Sequence, residues 1–156
     1  MRTDTSSWPC TIARAVHVLG DAWNLLILRQ ACLGTRRFED FQSALGIGRN
    51  ILADRLQRLV EDDLLDRVAY QQRPVRHEYR LTDKGRDVYP ILAAMAAWGE
   101  RWMTGPEGTP LVLQHTTCGH DMHAQVTCSE CTGHLHVREV RARFGPGHPR
   151  AAGETA

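Results

Sequence analysis

Between Arg49 and Val60 the apolar residues fall where one face of an α-helix would put them. Leu52, Leu56 and Leu59 stand at i, i+4 and i+7, and Ile51 and Val60 widen the stripe. Arg49, Asn50, Ala53, Asp54, Gln57 and Arg58 make the opposite, polar surface. Upstream, Ile12, Ala15, Val16 and Leu19 predict a first helix that Gly20 stops. Asp21 can cap a second over Ala22–Leu33, apolar on most sides, with Trp23, Leu26, Ile27 and Gln30 marking one face. That helix is expected at the centre of the core, and Gly34-Thr35 ends it. A short helix, Phe38–Leu45, should turn Phe38, Phe41 and Leu45 inward, and Gly46-Ile47-Gly48 makes a tight turn into the next helix. Short helix, glycine-containing turn and second helix form the helix-turn-helix pattern.

Beyond Asp63 the period drops from 3.6 to 2. Val68 and Tyr70 share a face within Leu65–Gln71. In Arg76–Leu81, His77, Tyr79 and Leu81 oppose Arg76, Glu78 and Arg80. Gln72-Arg73-Pro74-Val75 between them reads as a hairpin tip, with Pro setting the turn. Thr82 can cap a long helix, Asp83–Met103, whose stripe is Val88, Ile91, Leu92, Met95, Trp98, Gly99 and Trp102, and which Pro90 should kink. This is more apolar surface than a domain of this size needs. We read it as a face for a second copy, engaged through the first and last helices; the simpler alternative is that it folds back on its own core. The fold class expected is mainly α with a small β wing, a winged helix-turn-helix over residues 1–104. Residues 105–110 read as a linker, 111–144 as a zinc-ribbon-like β-hairpin appendage, and 145–156, rich in Gly, Pro and Ala, as a disordered tail.

Composition changes this picture little. With 42% hydrophobic residues among 156 the chain can bury a core, and a formal charge of +1 advertises no overall affinity for polyanions. A local patch can still serve. Arg and Asn carry the paired donors and acceptors that fit guanine and adenine edges, so the polar face of Arg49, Asn50, Ala53 and Arg58 can read a major groove. A hairpin tipped by Arg73 and Arg76 would reach phosphates beside it. No run of 18 apolar residues occurs and Met1–Cys10 lacks a signal peptide's apolar stretch, so a soluble, cytoplasmic protein without a membrane partner is expected. No Ser/His/Asp constellation or phosphate loop is present, which argues against an enzyme.

Cys10 before the first helix, the run LGDAWNLLILRQACLGTRRFEDFQSALGIGRNILADRLQRL, the wing RPVRHEYRLTDKG and the closing WGERW occur in one order and spacing. Over about Cys10 to Met103 the chain resembles the HxlR family of bacterial winged-helix transcription regulators. The resemblance implies a homodimer that binds a short palindrome in double-stranded DNA near a promoter and represses or activates a neighbouring gene, repression being the expected sign. It places Arg49, Asn50 and Ala53 at the groove, Arg73 and Arg76 in the wing, and Arg36 and Arg37 as phosphate clamps. Two positions depart from the family pattern. Gly48 replaces the usual Ser that caps the recognition helix, and Asp63 replaces the usual Gly after it, where Asp tolerates a left-handed backbone. Alternatives are a protein-binding adaptor using the winged helix and ribbon, and a regulator that senses thiol oxidation or metal.

Five cysteines in a chain expected in a reducing compartment argue against a disulfide framework. Cys10 lies where several family members that sense oxidants carry a reactive thiol, and it reads either as that or as packing. Cys32 reads as an inert core residue. Cys118, Cys128 and Cys131 cluster with five of the eight histidines. His115-Thr-Thr-Cys118 and Cys128-Ser-Glu-Cys131 are spaced as two knuckles that could hold a structural Zn²⁺ ion tetrahedrally. His120 is the rival fourth ligand, followed by His123 and His134. A dithiol redox pair at Cys128/Cys131 and an unliganded tail are the other readings.

Overall fold

The computed structural model describes residues 4–150, which divide into two compact units: 4–88 with 143–150, and 89–142. The expected tail is described only as far as residue 150, and 151–156 lie outside the described residues.

The first unit runs α1 (Thr11–Leu19), α2 (Ala22–Cys32), α3 (Phe38–Leu45), α4 (Arg49–Glu61), β1 (Leu65–Gln72), β2 (Val75–Leu81) and α5 (Asp83–Arg86). Its core gathers Ile27 and Leu28 of α2, Phe41 of α3, Ile47 of the turn, Leu52, Leu56 and Leu59 of α4, and Leu64 and Leu65 beyond it, all at most 2% exposed. Burying each such side chain contributes about 1.5–3 kcal/mol before entropy. The three leucines of α4 thus form the expected stripe. In α2 the buried residues are instead Asn24, Ile27, Leu28 and Ala31, while Trp23, Leu26 and Gln30 are half-buried. Asn24 can go inside because its amide donates to the Val18 carbonyl at 2.9 Å. Asp21 caps the helix, accepting from the amides of Trp23 (3.0 Å) and Asn24 (3.3 Å). None of α1 is buried, and Ile12 and Val16 are exposed.

β1 and β2 pair antiparallel, from Leu65 opposite Leu81 to Gln72 opposite Val75, with a bulge at Tyr70. The wing therefore turns at Arg73-Pro74, within the expected Gln72–Val75 tip, whose outer residues pair as the ends of the strands, while the bulge breaks the alternation expected of Val68 and Tyr70. The chain before α3 adds an edge to this sheet, Arg37 bridging to Glu78 and the Tyr79 amide donating to the Arg36 carbonyl at 2.8 Å. Asp63 takes the left-handed conformation, φ 58°, as its place after α4 requires. The root of the wing is clasped to this turn. Thr82 donates from its hydroxyl to the Asp63 carbonyl (2.7 Å) and from its amide to the Leu64 carbonyl (3.2 Å), and Lys84 donates to the Asp62 carbonyl (2.5 Å).

Thr82 also caps α5, accepting from the Gly85 amide at 2.9 Å. The long helix expected over Asp83–Met103 is in fact two. Helix α5 ends at Arg86, Asp87 and Val88 form a turn, and α6 runs Tyr89–Met103 in the second unit. Pro90 explains the break. It has no N–H to bond the Arg86 carbonyl, but in the first turn of a fresh helix that loss costs nothing. Val88 is buried in the first unit and does not belong to the α6 stripe. Along α6, Ile91, Met95, Trp98 and Trp102 form one line, and all four are exposed, the tryptophans by 61% and 65%. After α6 come β3 (Leu113–His115) and β4 (His120–Met122), an antiparallel hairpin.

Candidate nucleic-acid interface

Helices α3 and α4 are set at an angle by Gly46, whose left-handed φ of 61° closes α3, and by Ile47, which is 2% exposed and anchors the turn in the core. Gly48 opens α4 as an extended N-cap without a side-chain hydrogen bond, as its lack of a hydroxyl dictates. With Leu52, Leu56 and Leu59 turned inward, Arg49, Asn50, Ala53 and Arg58 stand exposed.

Their surroundings differ. The Arg49 guanidinium lies over the Phe38 ring at 5.0 Å, which steadies it at the start of the helix. Arg58 is engaged by Asp54 at 3.2 Å, an i, i+4 pair on the exposed surface. Asp54 also pairs with Arg55, so this carboxylate is balanced by arginines of its own helix. On the flank of α4, Arg55 reaches Asp21 at 3.0 Å. Burial raises the Asp21 pKa, but the bond and charge of Arg55 and the two capping amides outweigh it and hold the carboxyl below its ordinary value.

The wing supplies the second half of the surface. Arg73 and Arg76 are exposed at and beside its tip. Arg36 and Arg37, read as a clamp ahead of α3, lie at the edge of the wing sheet, and Arg37 stacks on Tyr70 at 4.9 Å. The bulge thus has a local role, presenting Tyr70 to Arg37. A cleft between the start of α3, the start of α4 and the wing is lined by Phe38, Arg49, Arg67, Tyr70, Arg76 and His77, among others. It brings Arg49 and Arg76 to one place, far apart in sequence. It also recruits Arg67, which the sequence reading missed. Arg67 sits on β1 opposite Tyr79 and contacts Nδ1 of His77 at 3.2 Å; a basic residue within a wing strand was the available signal.

The remaining candidates lie elsewhere. Cys10 is exposed and is the N-cap residue of α1. Cys32 is half-buried, and burial pushes its thiol pKa up, in keeping with an inert residue. In the second unit His115 and Cys118 meet at 3.4 Å, and Cys128 and Cys131 belong to one turn closed by the Thr132 amide on the Cys128 carbonyl at 2.9 Å. The Cys128 thiol is held below its ordinary pKa by the backbone N–H groups of Cys131 and Glu130 and by the Cys131 thiol. His120 stands opposite His115 on the β3–β4 ladder, His123 binds Glu100 at 2.8 Å, and His134 bridges to Thr127. Among the described residues the two knuckle pairs are not joined in a cluster of three or more donors. No helix among them is long and apolar enough to cross a membrane.

Comparison with known proteins agrees with this surface. Residues 18–107 match the HxlR-like helix-turn-helix family, a family of transcription regulators and not of enzymes. The HTH-type transcriptional regulator Rv3095 of Mycobacterium tuberculosis is 42% identical over 137 residues, 88% of this chain and 87% of that protein. The crystal structure of PA1607 superposes with a TM-score of 0.82 at 35% identity, covering 92% of this chain and all of that one. The redox regulator HypR in its reduced form gives a TM-score of 0.56 at 30% identity over 59% of this chain and 92% of its own. The chain belongs to the HxlR-like helix-turn-helix family and is a DNA-binding transcriptional regulator.

Proposed function

We propose that the chain is a cytoplasmic repressor, without catalytic activity, that binds a palindromic operator as a homodimer. The observation that carries the DNA-contact reading is the cleft joining Arg49 of α4 to Arg76 and Arg67 of the wing. In this reading Arg49, Asn50 and Ala53 meet base edges. Arg36, Arg37, Arg73 and Arg76 meet phosphates, which give affinity and register but little sequence information. Arg58, engaged by Asp54, contributes less than its exposure suggests. The second copy is supported by the exposed apolar residues of α1 and the exposed line of α6; two-fold symmetry would place half-sites roughly 34 Å apart. Footprinting of purified protein on its own upstream DNA tests this. Two protected half-sites one helical turn apart are expected, and salt-independent or absent protection would favour the adaptor reading.

A redox-responsive regulator is the second reading. Cys10 is exposed at the start of α1, and HypR, with the same fold, is a redox regulator. Oxidant should then weaken the wild-type footprint and spare that of Cys10→Ser. An identical response of both proteins would leave Cys10 as a surface residue.

A further inference from the structure

The DNA-facing surface makes no use of the chain beyond α6, yet two loops there are built alike. In the first, the amides of Cys118 and Gly119 both donate to the His115 carbonyl, at 3.2 and 2.7 Å. Gly119, directly after the cysteine, is left-handed with φ 73°. This curl brings His115 Nδ1 to 3.4 Å from Cys118 Sγ. In the second, the Thr132 amide donates to the Cys128 carbonyl and the Cys128 amide to the Gly133 carbonyl, both at 2.9 Å. Thr132, again directly after a cysteine, is left-handed with φ 58° although it is not glycine. Each loop is therefore donor, two residues, cysteine, left-handed residue, and the first joins β3 to β4 while a Thr127–His134 bridge closes the second.

In the first loop this backbone sets its two side-chain donors within reach of one another, and the second repeats the same spacing and the same left-handed residue. Its surroundings point the same way. Between residues 104 and 142 not one residue is buried, and Leu111, Val112, Val126, Leu135, Val137 and Val140 are all exposed. Two regular loops, one holding a non-glycine residue in a costly conformation, thus stand on no apolar core of their own. A metal supplies folding free energy in small modules of this kind.

We propose that His115, Cys118, Cys128 and Cys131 bind one structural Zn²⁺ ion, each loop contributing half of the tetrahedron. Three thiolates and a neutral imidazole are soft and borderline donors suited to zinc and unsuited to calcium or magnesium. Binding releases the protons of those thiols not already ionised and leaves a site of net charge −1. The donors stand as two pairs, so the ion draws the loops together as it binds. His120 faces His115 across the ladder and is the competing ligand, whereas His123 is held by Glu100.

The test uses the full chain, purified without chelator, then stripped and titrated with Zn²⁺ or with Co²⁺ as a spectroscopic probe. About one zinc per chain is expected, with a tetrahedral, thiolate-ligated Co²⁺ spectrum. Cys128→Ser and His115→Asn should lose most of the bound metal, and His120→Asn should keep it. The Co²⁺ spectrum of the wild-type chain stands whatever the folding of the variants. No stoichiometric metal, an octahedral spectrum, or a Cys128–Cys131 disulfide in place of metal overturns the proposal. Loss in His120→Asn with retention in His115→Asn overturns this ligand set.

Discussion

Asp21 joins the start of α2 to the flank of the recognition helix: the carboxylate that caps α2 also holds the Arg55 guanidinium of α4 at 3.0 Å. Both side chains are 21% exposed, so the pair is shielded enough to count. Asp21→Asn removes the charge and weakens both roles, and about 1–2 kcal/mol of stability should go with it at neutral pH. The pH dependence follows from the lowered pKa of Asp21. Its contribution is complete above the unfolded-state value of about 3.9 and is lost as pH falls through the lower folded-state value. Thermal midpoints of the two proteins should therefore differ at neutral pH and converge below about pH 4. A gap independent of pH would show that the charge of Asp21 is not what matters.

Arg49 and Arg73 should fail in different ways. Arg49→Ala is expected to cost about 1–3 kcal/mol on the operator and to relax discrimination at one base pair. Arg73→Ala should weaken specific and random DNA alike and shallow the dependence of log K on log salt by about one unit. Binding titrations at several salt concentrations separate the two; equal losses on both kinds of DNA for both variants would remove the division of labour.

Trp98 and Trp102 lie exposed on one line of α6, so replacing them should leave the fold of a single chain intact. Trp98→Glu is expected to turn a sedimenting dimer into a monomer at micromolar concentration with an unchanged far-ultraviolet spectrum, since an uncompensated charge in an apolar contact is costly. A dimer that survives this substitution does not use α6.

Gly85 packs its Cα against the turn after α4, where an added Cβ would fall 2.1 Å from the Leu64 carbonyl oxygen. Backbone cannot step aside cheaply. Gly85→Ala should destabilise the fold by about 2 kcal/mol or more, although alanine is otherwise the better helix residue. Chemical denaturation gives the number, and a neutral result would mean that the wing root yields.

What could be foreseen follows from how local each cause is. The α4 stripe was legible because Leu52, Leu56 and Leu59 repeat at one period and nothing competes with them. The wing was legible because His77, Tyr79 and Leu81 alternate with Arg76, Glu78 and Arg80 beyond a proline turn. In α2 the period could not choose a face, since Leu25 to Leu28 are apolar all round, and the burial of Asn24 depends on a carbonyl in α1. Pro90 was seen as a kink when it opens a new helix, because only the fold shows which turn it occupies. Arg49 and the wing arginines could be named as DNA contacts from the helix face and the hairpin. Their meeting with Arg67 in one cleft could not, for it depends on the placing of α3, α4 and the wing together. The restraint of Arg58 by Asp54, by contrast, follows from an i, i+4 spacing already present in the sequence.

The clasp of Thr82 and Lys84 on the turn at Asp62–Leu64 makes the wing a beam fixed at one end. Eight residues of β1 separate that root from the tip, an arm of about 25 Å at the usual strand rise. A tilt of about 10° at the root would carry the tip sideways by roughly 4 Å, more than the ~3.4 Å rise between successive phosphates on one strand. Two side chains at the root of the wing thus set where the arginines at its tip stand.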